Sequence, residues 1–228
     1  MPNHRTLTHL PLLALMFAAL LIPMSSQAGP DDALIILKKA ADEMFTGLNK
    51  DRAKLNGNRR AVRELVEKSL LPHIDIITAS KWVLGKHWRR ADKAQKIAFI
   101  KQFRELLLSF YSSALAEYLG ETTRKSFDPS MLKFKPIRAR ADDTEITVRS
   151  ELVPDSGKPL PVHFHMHATK KGWKIYDVSV EGISVVSTYR TSFSSEIQQK
   201  GIDNLIASLS DKNNKFLAQA ETSGKNKK

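Results

Sequence analysis

Apolar residues recur at steps of three and four between residues 31 and 119. This spacing places them on one face of an α-helix, so it predicts a helical first half. The predicted helices are residues 31–48, a helix that Asn58 caps and that ends before Pro72, residues 74–84 and residues 92–119. We expect Gly85 and Gly120 to end the last two. The inward stripe of the longest helix is predicted to be Phe99, Phe103, Leu106, Leu107, Phe110, Tyr111, Ala114 and Tyr118.

The apolar period changes to two in the middle of the chain, which is typical of strands with one buried face. The predicted strands are residues 131–139, 145–152, 162–169 and 173–180. Turn residues separate them, so we expect a four-stranded antiparallel meander. The helical period returns in residues 182–200 and from 202 to about 218. The whole pattern predicts an α+β fold in which helices pack on a curved sheet.

The first residues have the layout of a secretory signal peptide. A short basic start precedes an apolar run over residues 10–24, and Ser26 and Ala28 are small residues before a cleavage point after Ala28. A transmembrane anchor is the alternative, but this run is shorter than about 20 residues and contains two prolines. We therefore expect residues 1–28 to be removed on export, residues 29–220 to form a single domain, and residues 221–228 to be a disordered basic tail.

Composition and charge exclude several classes of function. The chain has 228 residues, no cysteine and a formal net charge of +12. The lack of cysteine excludes disulfides, a thiol nucleophile and a lipoprotein anchor. Residues 81–104 contain eight basic residues and one acid, a net +7. Such a surface suits nucleic acid, anionic lipid or acidic proteins, and expected export makes nucleic acid the least suitable. The candidate partner-facing or head-group residues are Arg89, Arg90, Lys93, Lys96 and Lys101.

Three histidines alternate along one predicted strand. His163, His165 and His167 project from the face opposite the apolar positions, so two of them could share a metal. The spacing offers no further ligand, and we interpret them as an outward polar face with no metal. The sequence also lacks a dinucleotide fingerprint and a phosphate-binding glycine loop, so no cofactor is expected.

A polar cluster of Asp177, Glu181, Tyr189 and Arg190 interrupts an apolar stretch. A carboxylate beside a tyrosine could transfer protons in a small-molecule pocket, which leaves an enzyme with Asp177 and Tyr189 as an alternative. The favoured interpretation is structural, with the acids and Arg190 joining the last strand to the helix that follows.

Two stretches carry a family resemblance, WVLGKHWRR at residues 82–90 and WKIYDVSVEGISVV at residues 173–186. With the aromatic positions that follow each, the chain resembles the MlaC family, the toluene-tolerance auxiliary proteins, over residues 31–218. The resemblance implies an NTF2-like fold that encloses an apolar lipid cavity. It also implies a periplasmic phospholipid carrier, not an enzyme, that maintains outer-membrane lipid asymmetry. The partners it implies are the outer-membrane lipoprotein MlaA with a porin and the inner-membrane ABC transporter MlaFEDB.

A lipid carrier must hide acyl chains behind inward-facing apolar residues. The residues expected to line the cavity are Phe103, Leu107, Tyr111, Val148, Leu152, Phe164, Met166, Ile175, Val178, Val180, Ile183 and Val186. Pocket and core residues have the same sequence pattern, so some of these are expected to be core. Arg89 and Arg90 are the candidates for contact with the lipid phosphate. We expect a monomer, and a periplasmic adaptor that binds only proteins is the remaining alternative.

Overall fold

The computed structural model describes residues 29–123, 126–154 and 157–225. Its helices are α1 (Pro30–Lys50), α2 (Arg52–Leu55), α3 (Arg59–Ser69), α4 (Ile76–Leu84), α5 (Lys86–Arg90), α6 (Lys93–Glu121), α7 (Val185–Lys200) and α8 (Ile202–Lys225). Its strands are β1 (Leu132–Phe134), β2 (Glu145–Leu152), β3 (Leu160–Thr169), β4 (Gly172–Val180) and β5 (Ile183–Ser184). The predicted signal peptide and residues 226–228 of the predicted tail lie outside the described residues. The helix α8 extends into that tail, further than the apolar pattern predicted.

Side-chain caps determine where α3 and α6 begin. The Asn58 side-chain oxygen accepts a hydrogen bond from the backbone N–H of Ala61 at 3.1 Å. Asp92 accepts one from the N–H of Gln95 at 2.8 Å, and the Gln95 side chain accepts one in return from the Asp92 N–H at 3.1 Å. These reciprocal bonds satisfy two backbone donors that the first helical turn leaves free. The starts predicted at Asn58 and Asp92 are confirmed.

Glycine ends one helix but not the other. Gly85 ends α4 with φ of 51°, a left-handed conformation that side chains with a Cβ rarely adopt. The prediction that Gly120 ends α6 is wrong, because the helix passes through it to Glu121. A Cβ on Gly120 would lie 3.5 Å from the Cα of Gly57. This is an ordinary van der Waals distance, so α6 packs against the turn before α3 without requiring glycine at position 120.

The sheet is antiparallel throughout, with the strand order β1-β2-β3-β4-β5. The α+β prediction is confirmed, with five strands in place of the expected four. The extra strand β5 pairs Ile183 with Val180 of β4. The first strand is much shorter than the predicted residues 131–139. Such an open sheet covered by helices is consistent with the NTF2-like fold.

The pairing of β3 with β4 contains a bulge. His165 lies opposite Asp177, but Met166 lies opposite Ile175, so Tyr176 is an extra residue on β4. A bulge of this kind re-aims the side chains beside it. Here it occurs where β4 reaches the cavity described below.

Three apolar clusters hold the elements together. The first joins α4, α6, α7 and α8 around Phe99 and Phe103. The second packs α1 on the sheet, with Trp173 of β4 fully buried and its Nε1 donating to the Gly29 carbonyl at 2.9 Å. The third joins α1, α2, α3 and the end of α6. Within the described ranges, none of the helices is both long and apolar enough to cross a membrane.

The helix α6 changes its buried face along its length. Phe99, Phe103 and Leu106 are buried as predicted. The second half of the predicted stripe is wrong, because Phe110, Tyr111, Ala114 and Tyr118 are exposed. In that half the buried residues are instead Ser112, Ala116 and Leu119. The reason is a change of partner, since the end of α6 packs against the α1–α3 cluster rather than against α4 and α7.

Candidate functional site: an apolar cavity

A cavity of about 450 Å³ lies between the helical layer and the sheet. Its wall is almost entirely apolar, and its volume is within the usual range of about 300–1,000 Å³ for ligand pockets. Tyr111 and Val180 line it and are 44% and 36% exposed, so the cavity opens to solvent beside them. The lining residues are Val66, Leu70, Leu71, Ile74, Ile76, Ala79, Phe103, Arg104, Leu107, Leu108, Tyr111, Phe164, Ile175, Tyr176, Asp177, Val178, Val180, Val185 and Val186.

Eight of the twelve residues expected on the wall lie on it. They are Phe103, Leu107, Tyr111, Phe164, Ile175, Val178, Val180 and Val186. They come from α6, β3, β4 and the start of α7. On β4, the bulge at Tyr176 brings Ile175 to the same side as Val178 and Val180. Contact of these residues with lipid stays a prediction.

The other four expected residues lie elsewhere. Val148 and Met166 are completely buried in the cluster between α1 and the sheet. Leu152 is half-buried at the far end of β2, paired with Leu132 of β1 and Leu160 of β3. Ile183 is 67% exposed, because β5 turns it outward before α7 begins. The strand pattern gave the correct face for Val148 and Met166, but α1 covers that part of the face.

The sequence interpretation missed one whole wall of the cavity. Residues 66–79, which include the end of α3, a short 3₁₀ turn and the start of α4, contribute six apolar lining residues. A backbone bridge fastens this segment to the sheet, with the Asp75 N–H donating to the Ile175 carbonyl at 2.8 Å. One feature of the sequence pointed to this wall. Leu70 and Leu71 are two apolar residues at the end of a predicted helix, and no other predicted element was assigned to pack against them.

Arg104 brings a positive charge to the apolar wall. Its Nη2 donates to Glu67 Oε1 at 3.0 Å, and Arg63 also reaches this oxygen, at 3.5 Å. Arg63 is held more closely by Glu105, with Nη2 donating to Oε2 at 2.8 Å. Burial alone would raise the pKa of Glu105, but the bonds from Arg63 and Ser109 outweigh it and lower that pKa. Arg89 and Arg90, the predicted phosphate contacts, are exposed and are absent from the described wall.

Asp177 lines the cavity, but its carboxylate oxygens already accept hydrogen bonds from other groups of the protein. Oδ1 accepts the backbone N–H of Val178 at 2.8 Å and that of Val186 at 3.0 Å, and Oδ2 accepts the Ser184 hydroxyl at 2.5 Å. Two of these donors belong to the first residues of α7 and its cap. Asp177 therefore joins the strand to the helix, but through Ser184 and the backbone, so the predicted pairing of this acid with Arg190 is wrong. The guanidinium of Arg190 lies over the Trp82 ring at 5.7 Å.

Tyrosines stand at the junction of α6 and α7. Tyr189 packs edge-on against Phe103, with ring centroids 5.4 Å apart. Partial burial raises the pKa of Tyr111, and the negative charge of Asp177 raises it further. Burial likewise raises the pKa of Tyr189. Both hydroxyls therefore stay protonated at neutral pH, which makes them suited to hydrogen bonding and not to acting as bases.

The three histidines are less exposed than the sequence predicted. His165 contacts the hydroxyls of Thr147 and Ser179 at 3.1 and 3.0 Å. His167 Nε2 lies 2.9 Å from Asp75 Oδ2, which ties β3 to the start of α4. Asp75 therefore covers part of the outward face, at His167. In the described part of the chain, His, Asp and Glu form no group of three or more suited to a metal.

The basic residues of α5 and α6 lie on the outside of the helical layer. Arg89, Arg90, Lys93 and Lys101 are exposed, and Lys96 places its ammonium 5.5 Å from the centre of the Trp88 ring. The described residues thus present two distinct surfaces. One is an apolar cavity that is open to solvent and carries the charged side chains of Arg104 and Asp177 on its described wall, and the other is an exposed basic face.

Comparisons with known proteins point to one family. A sequence profile of the MlaC protein family matches residues 38–211 of this chain. The intermembrane phospholipid transport system binding protein MlaC of Haemophilus influenzae is 24% identical over 178 residues, which cover 77% of this chain and 79% of that protein. The toluene tolerance protein ttg2D of Pseudomonas putida is 26% identical over 194 residues, 84% and 83% of the two chains.

A solved structure agrees with these relatives. The phospholipid-binding protein from Ralstonia solanacearum, determined in complex with a phospholipid, superposes with a TM-score of 0.69 at 27% sequence identity. The match covers 81% of this chain and 98% of that one. The helices, the antiparallel sheet and their arrangement are therefore shared with a protein whose ligand is a phospholipid.

Proposed function

The chain belongs to the MlaC family, and from this we propose that it binds a phospholipid in the apolar cavity and carries it between membranes. The observation that supports the proposal best is the wall itself, which is almost entirely apolar over about 450 Å³ and yet open at Tyr111 and Val180. Acyl chains would occupy the cavity, and the polar head would lie where the wall reaches solvent. The relatives named for phospholipid binding or transport add to this support.

The energetics of acyl chains favour a carrier that hands its cargo on directly. Burial of each CH₂ group is worth about 0.8 kcal/mol, so a buried tail of roughly 16 carbons would gain on the order of 13 kcal/mol. Escape of such a ligand into water is therefore slow. Transfer needs an apolar acceptor docked at the opening, where the exposed Phe110, Tyr111 and Ile183 offer apolar surface.

The compartment and the partners form the finer part of the proposal. The carrier would be exported, its signal peptide cleaved after Ala28, and it would act in the periplasm as a monomer. There it would exchange phospholipid with MlaA and its porin at the outer membrane and with MlaFEDB at the inner membrane, and so maintain lipid asymmetry. The basic face of Arg89, Arg90, Lys93, Lys96 and Lys101 would contact acidic partner surfaces or anionic head groups.

Lipid extraction tests the proposal. Protein purified from bacteria is extracted with organic solvent, and the extract is analysed by mass spectrometry. We expect phospholipid at about one molecule per chain in the wild type. The Leu107→Trp variant fills the cavity from α6 and should carry much less.

Ile97→Trp is the matched control, because Ile97 is 59% exposed on the same helix. It should retain the wild-type load. The proposal is wrong if wild-type protein yields no phospholipid, or if Leu107→Trp folds normally and carries as much as the control.

A further inference from the structure

We propose that Arg104 is the phosphate anchor of the cavity, and that Glu67 competes with the lipid phosphate for its guanidinium. The inference rests on the proposed phospholipid binding and adds the residue that orients the ligand. It replaces Arg89 and Arg90, which are exposed outside the described wall.

The charges on the wall are distributed unequally. Among the described lining residues, Arg104 is the cationic side chain and Asp177 the anionic one. Asp177 already accepts three hydrogen bonds, and its negative charge repels a phosphate. The phosphate would therefore lie at the Arg104 end of the wall, away from Asp177. The tails would extend along Leu107 and Phe103, which belong to the same face of α6.

Arg104 is also the member of its ion-pair network that can most easily change partner. It is bonded to Glu67 Oε1 at 3.0 Å and is about one-third exposed. When it turns to a phosphate, Glu67 retains Arg63, whose Nη2 is 3.5 Å from the same oxygen. Arg63 in turn keeps its bonds to Glu105 and to the Ser109 hydroxyl, the latter at 2.9 Å. No carboxylate of this network is left without a cation.

The chemistry of the exchange favours phosphate over carboxylate. A guanidinium presents parallel N–H donors that match two phosphate oxygens, and such charge-assisted bonds are stronger than neutral ones. Every glycerophospholipid carries this phosphate whatever its head group. Arg104 would therefore select lipids with a phosphate over diacylglycerols with the same tails, and discriminate little between head groups.

The test is a competition for the cavity. Purified mature protein is incubated with vesicles that contain dioleoylphosphatidylglycerol and dioleoylglycerol in equal amounts, re-isolated and extracted. We expect the wild type to hold the phosphate-bearing lipid in about 10- to 100-fold excess, the value of one or two charge-assisted bonds. Arg104→Gln should bring this ratio close to one. Glu67→Gln removes the competitor and should raise the ratio.

Arg60→Gln is the matched control, since Arg60 forms an exposed pair with Glu64 on α3 and lies outside the described wall. Its ratio should equal that of the wild type. The inference is wrong if Arg104→Gln keeps the wild-type ratio of the two lipids. If Arg104→Gln does not fold, the inference is wrong when Glu67→Gln keeps that ratio.

Two further outcomes are distinct. A wild type that binds both lipids without preference overturns the anchor and leaves the carrier proposal in place, whereas one that takes up neither lipid overturns both. A separate titration with inorganic phosphate should give weak binding. If inorganic phosphate bound as tightly as the lipid, and if Arg104→Gln abolished that binding, the site would be assigned to free phosphate instead.

Discussion

Asp177 illustrates how a single carboxylate on the cavity wall can be structural. Its two oxygens accept bonds from Val178, Ser184 and Val186, so it holds the end of β4 against the first turn of α7. A negative charge at a helix N-terminus is also favourable to the helix dipole. The groups nearest to the Asp177 carboxylate are hydrogen-bond donors of the protein itself. The geometry therefore indicates a structural role for Asp177, which joins β4 to α7.

The first prediction separates this role from the enzymatic alternative. Asp177→Asn keeps one acceptor oxygen but presents N–H donors to the Ser184 hydroxyl, and the helix loses a charge. We expect the free energy of unfolding to fall by about 1–3 kcal/mol, measured by urea unfolding. Lipid extracted from the variant that remains folded should match that of the wild type.

Glu181→Gln serves as control, because Glu181 is an exposed acid close in sequence, and its loss should change stability by less than about 0.5 kcal/mol. If Asp177→Asn unfolded like the wild type and abolished turnover of a small substrate, the structural role would be refuted.

At the scale of elements, residues 70–76 form the link that makes the cavity. They leave α3, pair with β4 through Ile74 and Ile175, and begin α4 with Asp75 as its cap. The Asp75 carboxylate accepts from the Thr78 N–H at 2.9 Å and meets His167. Burial alone would raise the pKa of Asp75, but these bonds outweigh it and lower that pKa. Asp75 therefore stays ionised and holds the wall to the sheet at neutral pH.

A second contact between elements joins α5 to α7. His87 is buried, and its Nε2 lies 3.0 Å from the Ser194 hydroxyl. Burial lowers the pKa of His87, and the nearby charges of Lys86 and Arg90 lower it further. The folded protein thus keeps this ring neutral at a pH where the unfolded chain binds a proton.

This difference predicts a pH dependence of stability. Below the ordinary histidine pKa of about 6.5 the unfolded state takes up a proton first, so the free energy of unfolding should decrease as the pH falls. In His87→Gln the decrease should be smaller, because the replacement keeps a polar group near Ser194 but does not titrate. His73 also has a pKa lowered by burial, so part of the slope should persist.

Urea unfolding at several pH values between about 5 and 8, the range in which histidine titrates, measures both slopes. Ser194→Ala is the control, since it removes the hydrogen bond but keeps the titrating ring, and its slope should resemble that of the wild type. Equal slopes in His87→Gln and the wild type would contradict the role given to His87.

At the scale of the whole molecule, the cavity is suited to binding the lipid and the basic face is suited to docking on a partner. The cavity holds apolar chains, and the exposed cations of α5 and α6 are available for an acidic surface. Exposed charges act mainly on the rate and salt dependence of association, since they are screened over about 8 Å at physiological ionic strength. The basic face is thus expected to govern docking, with little effect on lipid affinity.

Charge reversal tests this division. Lys93→Glu, Lys96→Glu and Lys101→Glu combined should weaken binding to the proposed partner complexes and reduce its salt dependence, as measured by surface plasmon resonance at low and high salt. Bound phospholipid should be unchanged. The same reversal at Lys38, Lys39 and Lys50, which are exposed on α1, gives the same net charge. Equal effects of the two triple variants would mean that net charge, and not this face, controls docking.

The periodicity of the sequence determined most of the elements and their faces. Caps such as Asn58 and Asp92 act over three residues, so they can be identified from neighbours in the chain alone. Strand alternation placed Phe164, Val178 and Val180 on the cavity side correctly, because successive side chains of a strand point to opposite faces. Ile175 shares that side only because the bulge at Tyr176 shifts the alternation along β4, which the sequence pattern does not show. The α+β class followed from these local periods.

Tertiary structure decided which apolar residues line the cavity and which belong to the core. Val148 and Phe164 share a face of the sheet, but α1 covers the first and the cavity borders the second. The change of buried face along α6, with Tyr111 exposed, likewise depends on which helices pack against each half. Arg104 belongs to the same basic run as Arg89 and Arg90, and only the packing of α3 against α6 brings it to the cavity wall beside Glu67. The sequence specifies what each element can bury, whereas the contacts between distant elements determine what it leaves free for a ligand.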